Sequence, residues 1–438
     1  MLRQITRRAF VTSTPAMAGG FWVAGSSTAA ESRSANERLN IACVGVGTGS
    51  VGGIANLPIF AEKGNIVALC DVDDKYAGPS FEKYPKAARY HDFRKMLDKQ
   101  KDIDAVVVST PDHMHAAIAV AAMRMGKHVY VEKPLARTIY EARVMRETAA
   151  KYKVATQMGN QGTGNPAFRQ AVEIVRSGGI GVVRDVYGWT DRPTWPQGNF
   201  RRPTERLEAP SYLKWDLFLG VAHERPYSPK YHPFVWRGWW DFGTCVLGDM
   251  ACHVTNLAFL GLHLGDPVSV EAESAGANEE TGPTWAIIKY QFPARGTLPP
   301  VQLTWYEGGK KPPREITYGQ TLPPNGSLIV GDRGAILTHD MYCTRWILLP
   351  EDKFKGYKRP EPPPSVGHHQ EWILACKGQG RTMSNFEYAG HMTESLLVGN
   401  LAIRTGKKII WNAGQMKANH LPEADRYIRP EFRKGWSI

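Results

Sequence analysis

Three observations predict an α/β fold. Short apolar runs alternate with helix-forming segments through the first 160 residues, a glycine-rich turn follows the first of those runs, and near residue 161 the composition shifts towards tryptophan, proline and glycine. Strands alternating with helices build parallel sheets, because a parallel pair needs a crossover connection. The chain has 438 residues, more than one ordinary core serves, so two domains are expected behind a leader. The boundaries fall at 1–35 for the leader, 36–160 for the first domain and 161–438 for the second. With 42% apolar and 22% charged residues the composition is globular. No run of about 18 apolar residues follows position 35, so no membrane span is expected.

Ile41-Ala42-Cys43-Val44 reads as the first strand. Gly45 then permits a tight turn, and Gly47 lets backbone N–H groups approach a pyrophosphate at a helix amino terminus. Thr48, Gly49 and Ser50 continue the turn, with serine at position 50 where a third glycine is expected. The strand Ile66–Cys70 ends in Asp71, about twenty residues on, where a carboxylate accepts bonds from an adenosine ribose and repels a 2′-phosphate. NAD is therefore favoured; Lys75 leaves NADP open, and Asp73 and Asp74 compete with Asp71 for this part. A strand over Asp104–Ser109 runs into Thr110-Pro111-Asp112-His113-Met114-His115. Thr110 and Pro111 shape the floor under the cofactor, with His115 near its ribose or nicotinamide.

The next strand, His128–Val131, delivers Glu132, Lys133 and Pro134. Open parallel sheets bind ligands beyond the carboxyl ends of their strands, which makes Lys133 a candidate catalytic group rather than a solvated charge. Val154–Met158 reads as the last strand of this half, ending at Gly159-Asn160-Gln161-Gly162.

In the second half Trp189, Trp195, Trp215, Trp236, Trp239, Trp240 and Trp285 crowd into a hundred residues. Indoles stack on sugar C–H faces as readily as they fill cores, and Trp239 and Trp240 are the preferred substrate contacts because they precede Gly248-Asp249-Met250-Ala251-Cys252-His253. Asp249 and His253, four apart, share one face of a helix. No metal is expected: Cys252 points about a quarter-turn away, and the plainer alternative is a structural Asp–His pair. With Lys133 across a cleft, a substrate hydroxyl lies between Lys133 and His253. In the catalytic reading His253 takes its proton, Lys133 stabilises the alkoxide and Asp249 supports both, with each of the three a candidate for moving the proton. Arg237, His232, Asn160, Gln161 and Tyr187 are secondary candidates for hydroxyl recognition. Lys310–Pro324 and Arg359–Pro364 read as loops.

The formal charge is +12, but basic residues are scattered among acidic ones, so no nucleic-acid partner is expected. Cysteines 43, 70, 245, 252, 343 and 376 show no paired spacing, which excludes a disulfide framework or zinc ribbon. Thr6-Arg7-Arg8-Ala9-Phe10-Val11, followed by Thr28-Ala29-Ala30, resembles a bacterial twin-arginine export signal, implying a periplasmic destination. Such a route carries folded proteins, and outside the cytoplasm a dinucleotide has to be held tightly.

The glycine turn, Thr110-Pro111, Glu132-Lys133-Pro134 and the later Asp249-x-x-x-His253 together resemble the glucose–fructose oxidoreductase, inositol dehydrogenase and MocA family, over essentially the whole chain after residue 36. The resemblance implies a Rossmann dinucleotide domain followed by an α/β domain with a large open, mostly antiparallel sheet, whose outer face forms a homodimer or homotetramer. It implies hydride transfer between NAD(P) and a secondary hydroxyl of a small sugar or polyol. Some relatives instead cleave glycosides through a transient oxidation, and a non-catalytic sugar-binding module is the third reading.

Overall fold

A computed structural model describes residues 38–48 and 51–438. The leader with its twin-arginine pattern, and the turn residues Gly49 and Ser50, lie outside the described residues. The first domain is a six-stranded parallel sheet of β1 (Asn40–Val44), β2 (Asn65–Cys70), β3 (Ala88–Tyr90), β4 (Ala105–Val108), β5 (His128–Val131) and β6 (Thr156–Met158), in the order β3-β2-β1-β4-β5-β6. Helices α1 (Val51–Lys63), α2 (Asp74–Lys83), α3 (Phe93–Lys99), α4 (Asp112–Arg124) and α5 (Ile139–Tyr152) make the crossovers. Ile41–Val44 and Ala105–Val108 are buried throughout, which is why these central strands read as uninterrupted apolar runs. Capping fixes where helices start: Asp73 accepts the N–H groups of Lys75 and Tyr76 ahead of α2, and Thr138 and Glu141 form a capping box on α5. The order reverses between β1 and β4, and that reversal opens the ligand crevice.

The second sheet has nine strands: β7 (Val183–Trp189), β8 (Ser269–Ala275), β9 (Trp285–Phe292), β10 (Val301–Glu307), β11 (Gly326–Gly331), β12 (Gly334–Thr338), β13 (Trp346–Leu349), β14 (Ile409–Asn412) and β15 (Lys417–Ala418). Their order is β13-β12-β11-β7-β10-β9-β8-β14-β15, antiparallel except for β7 with β10. One face carries Val186, Ile288, Leu303, Trp305 and Ile329 against the helices Cys245–Val254 and Phe386–Thr405. The expected open, mostly antiparallel sheet is thus present.

The border between the halves is crossed more than once. Helix His368–Cys376 returns to the first sheet, where Trp372 meets Phe60 and Tyr130 edge-on at 5.2 and 5.8 Å. Arg143 of α5 forks onto the buried Glu394 of helix Phe386–Thr405 at 2.6–2.9 Å. Residue 160 therefore ends the first sheet without ending that domain's core. Lys310–Pro324 and Arg359–Pro364 are irregular, as expected, apart from one 3-10 turn at Arg314–Ile316. Among the described residues no single helix is long and apolar enough to cross a membrane.

Candidate active site

Two cavities meet over the ends of β1 and β4, sharing Ser109, Thr110 and Trp236. The first, about 780 Å³, is lined by Gly45, Gly47, Asp71, Thr110 and Pro111 from the first domain and by Phe218, His232 and Trp236 from the second. Gly45 has φ +81°, and a Cβ there would lie 2.6 Å from the Ser109 backbone. The turn thus fits against β4 only without a side chain. Gly53 supplies the other close approach, since its Cβ would sit 2.5 Å from the Gly45 carbonyl. This helix–strand contact is the role sought at position 50, and sequence spacing missed it.

Asp71 accepts the N–H groups of Val46 and Gly47 at 2.8 Å and of Asp73 at 3.0 Å. Burial raises its pKa against those bonds. A carboxylate offers about four acceptor sites, so one remains for a ribose hydroxyl. Asp73 instead caps α2 and pairs with His232 Nε2 at 2.7 Å. His232 therefore serves the nucleotide side, not the substrate side. Lys75 lies over the Tyr76 and Tyr212 rings at 5.7 and 5.5 Å, outside the cavity lining.

Two expected cofactor contacts turn elsewhere. The Thr48 hydroxyl donates to the Tyr76 carbonyl at 3.3 Å and does not line the cavity. Both ring nitrogens of buried His115 lie 2.9 Å from carbonyls, of Pro134 and Thr110, so His115 ties the Thr110 turn to Pro134 instead of facing ribose or nicotinamide.

The second cavity, about 1480 Å³, contains Lys133, Asp249 and His253 in one wall. Lys133 Nζ donates to Asp249 Oδ1 at 2.8 Å and to the Asp249 carbonyl at 3.1 Å. Arg237 Nε lies 3.6 Å from the same Oδ1. Burial works against the Lys133 ammonium, but Asp249 more than offsets it and holds the pKa above the ordinary lysine value. Burial likewise opposes the Asp249 carboxylate, and Lys133 and Arg237 bring its pKa below normal. His253 is pulled down to about 3, first by burial and then by Lys133. It is thus neutral, not poised near 6.5 as its residue type suggests. Glu132 accepts from Asn56 at 2.8 Å and from Gln161 at 3.2 Å, and Gln161 lines the cleft.

The remaining substrate candidates divide. Arg237 faces the cleft and stacks on Phe234 and Trp236 at 4.4 and 4.3 Å. Asn160 is fully buried and accepts from Ser384, away from the cleft. Tyr187 lies on the opposite face of the second sheet, beside Trp189 and Leu328. Trp239 packs in a core with Phe218 and Tyr231 and donates to the Lys230 carbonyl at 2.8 Å; Trp240 donates to Asn278 at 3.0 Å. Trp195 and Trp236 supply the cleft indoles instead.

Sequence reasoning also missed Asp112, whose Oδ2 accepts Thr244 N at 3.0 Å and Thr244 Oγ1 at 2.8 Å at the start of the helix carrying Asp249 and His253. Burial pushes Asp112 up to about 7, opposed by its bond from Thr244. Its only signal was its place inside the Thr110–His115 run. Tyr342, whose ring meets His253 edge-on at 4.9 Å, comes from a distant loop with no motif. Among the described residues no three His, Cys, Asp or Glu side chains converge as metal ligands.

The residues present fit a dinucleotide: a side-chain-free approach at Gly45, the orphaned Thr110 hydroxyl, and two joined cavities beneath a reversed strand order. Fold and site together define a dinucleotide-binding oxidoreductase class. Residues 39–160 match the GFO_IDH_MocA family, described as oxidoreductase family, NAD-binding Rossmann fold, and residues 180–438 match its carboxy-terminal α/β domain. The chain belongs to this family, and NAD is the cofactor of its amino-terminal fold.

Among relatives, levoglucosan dehydrogenase of Pseudarthrobacter phenanthrenivorans is 28% identical over 172 residues, covering 38% of this chain and 35% of the relative. A glycosyl hydrolase family 109 protein of Solibacter usitatus is 44% identical over 108 residues, 22% of this chain and 24% of the relative. The chain thus matches about a third or less of the length of these relatives. The WlbA dehydrogenase of Bordetella pertussis, solved with NADH and UDP-GlcNAcA, shares the fold at TM-score 0.61 and 17% identity, covering 86% of this chain and 99% of that one.

Proposed function

We propose that the protein transfers a hydride between a secondary hydroxyl of a sugar, polyol or glycoside and NAD held in the joined cavities. The observation that carries this reading is the charged Lys133–Asp249 pair beside neutral His253, in the wall of a cleft that adjoins the nucleotide cavity at Thr110. NAD, when bound, supplies the hydride acceptor. Lys133 donates to the substrate oxygen, and its positive charge favours the alkoxide there. A neutral His253 nitrogen accepts the hydroxyl proton as the C–H bond gives up its hydride, and a ketone forms. Asp249 fixes the ammonium and balances its charge. Trp195 and Trp236 line the cleft, and Arg237, Gln161 and Asn165 offer polar groups at its wall.

Export through the twin-arginine pattern belongs to the same reading, because a periplasmic enzyme works best with a dinucleotide it does not release. The covering of the nucleotide cavity by Phe218, His232 and Trp236 supports such retention. A homodimer or homotetramer through the outer face of the second sheet is part of the proposal, supported by the partly exposed Tyr187, Ile287, Val330 and Ile347 on that face.

A second reading is glycoside cleavage with NAD as a transient oxidant, favoured by the 44% identity to a family 109 glycosyl hydrolase. Oxidation acidifies the neighbouring C–H, elimination removes that proton and expels the aglycone, water adds across the resulting C=C bond, and hydride return to the carbonyl restores the sugar. Product analysis on a panel of glycosides separates the two. A ketosugar with stoichiometric NADH supports net oxidation; a free aglycone with no net NADH supports the cycle. Neither product from any sugar, polyol or glycoside would overturn both.

A further inference from the structure

A third cavity, of about 850 Å³, lies behind the catalytic helix and shares no lining residue with the two cavities described above. Its walls come from the start of α5, the Trp240–Gly243 turn, the last turns of helix Phe386–Thr405 and the carboxy-terminal segment. Arg404 projects into it from the last turn of that helix, with its guanidinium 3.8 Å from the centre of the Tyr427 ring and 5.0 Å from that of Trp240. Among the described residues no carboxylate or other acceptor hydrogen-bonds or ion-pairs with this guanidinium, and Glu279 acts on it only from farther off.

The acidic groups around the cavity are already matched. Glu141 pairs with Arg137 at 3.5 Å, Asp241 with Arg225, and Glu279 with Arg426 at 3.2 Å. One positive charge is left over, and it faces the cavity. A guanidinium is weakly hydrated and presents several N–H donors in one plane, a geometry that matches two oxygens of a carboxylate or phosphate. Burial draws Arg404 down to about 10, still charged at neutral pH, and the helix carboxyl end favours the cation.

We propose that this cavity is a second binding site, in which the Arg404 fork takes a small oxyanion, a carboxylate or a phosphate. Its wall touches the catalytic apparatus: Asn400 Nδ2 donates to the Thr244 carbonyl at 3.1 Å, and Thr244 is the residue Asp112 holds at the head of the catalytic helix. Arg137, four residues beyond Lys133, donates to the Asp241 carbonyl at 2.7 Å. A bound anion therefore steadies the frame of the reacting cleft without entering it.

The test is the thermal midpoint of the NAD-loaded protein, titrated in separate arms with inorganic phosphate and with acetate, with chloride holding ionic strength constant. The expected result is a saturating rise with a millimolar midpoint in at least one arm, and the two arms identify the oxyanion. In Arg404→Gln the rise disappears, whereas Lys133→Met keeps it, so the outcome is separate from that of the proposed reaction. If Arg404→Gln does not fold, Arg404→Lys keeps the charge and loses the fork, and it should bind about tenfold more weakly. No saturating rise in either arm, or an equal rise in the Arg404 variant, would overturn the proposal.

Discussion

Replacing Lys133 with methionine keeps the aliphatic stem and removes the ammonium. Lys133 Nζ is 2.8 Å from Asp249 Oδ1, and both side chains line the cleft. If this ammonium stabilises the reacting oxygen, its loss resembles removal of one oxyanion donor, worth about 10²–10³ in turnover or about 3–4 kcal/mol. A second cost falls on stability. Stripping one partner from a buried ion pair costs about 3–5 kcal/mol, but Arg237 at 3.6 Å keeps a cation beside Asp249, so the lower end of that range is expected. NAD should remain bound, because Gly45, Asp71 and Thr110 are untouched. The assay combines cofactor content of the purified variant, its melting curve, and NADH formation with the substrate that the wild type accepts. A folded, NAD-loaded Lys133→Met protein that turns over within about tenfold of wild type would refute the assignment.

Other perturbations probe the neighbouring groups. Asp112 is pushed up to about 7 by burial, so between its unfolded value of about 3.9 and pH 7 the native state holds a proton that the unfolded state has lost. Its stability contribution is complete below about pH 4 and lost as pH rises through 7. Asp112→Asn should flatten this slope by up to roughly 4 kcal/mol between pH 4 and 8, read by urea unfolding; parallel profiles for variant and wild type would refute it. His253 has the opposite sign: its pKa is lowered to about 3, so its contribution is present above about 6.5 and lost as pH falls towards 3. His253→Asn should therefore hold its stability better on acidification than wild type does. Trp236→Ala should raise KM for a ring substrate about tenfold, corresponding to about 1–1.5 kcal/mol, whereas Trp239→Phe alters stability alone. Gly45→Ala should copurify without NAD, since its Cβ would strike the Ser109 backbone at 2.6 Å; a fully loaded variant would show that the turn has room.

What the sequence made legible was whatever depends on local order along the chain. The apolar runs gave all the strands of the first sheet except the short, half-exposed β3, and helical spacing placed Asp249 and His253 on one face. The strand-end rule put Lys133 at the crevice. What stayed hidden depended on contacts between distant segments. Trp239 and Trp240 stand next to the helix carrying Asp249 and His253 in sequence, yet both indoles turn into packing and donate to carbonyls, while Trp195 and Trp236 line the cleft. Tyr187 sits in a strand whose side chains alternate between faces, so without the sheet's packing its side could not be assigned. His115 looked available because the two carbonyls that occupy its nitrogens carry no signature in the sequence. The pKa of His253 could not be read either, since burial sets it and the sequence does not show burial.

These charges also constrain how the proton moves. Lys133 and Arg237 both lie against Asp249, and burial works against the charges of Lys133 and Asp249, an opposition their mutual attraction more than offsets. Together the three remain ionised with one net positive charge at the cleft wall, which disfavours an imidazolium at His253 before the reaction begins. That same positive charge favours an alkoxide. In the proposed reaction the cleft would hold a strong stabiliser of the deprotonated substrate beside a weak base, and the proton would leave easily only as the hydride departs. Asp112, raised to about 7 and bound to the head of the same helix, is a further titrating group beside this cluster. A pH–rate profile would thus report values belonging to the cluster, not to His253 alone. Asp112→Asn shifts the neutral limb of that profile if the coupling holds, and an unchanged limb would assign it to another group.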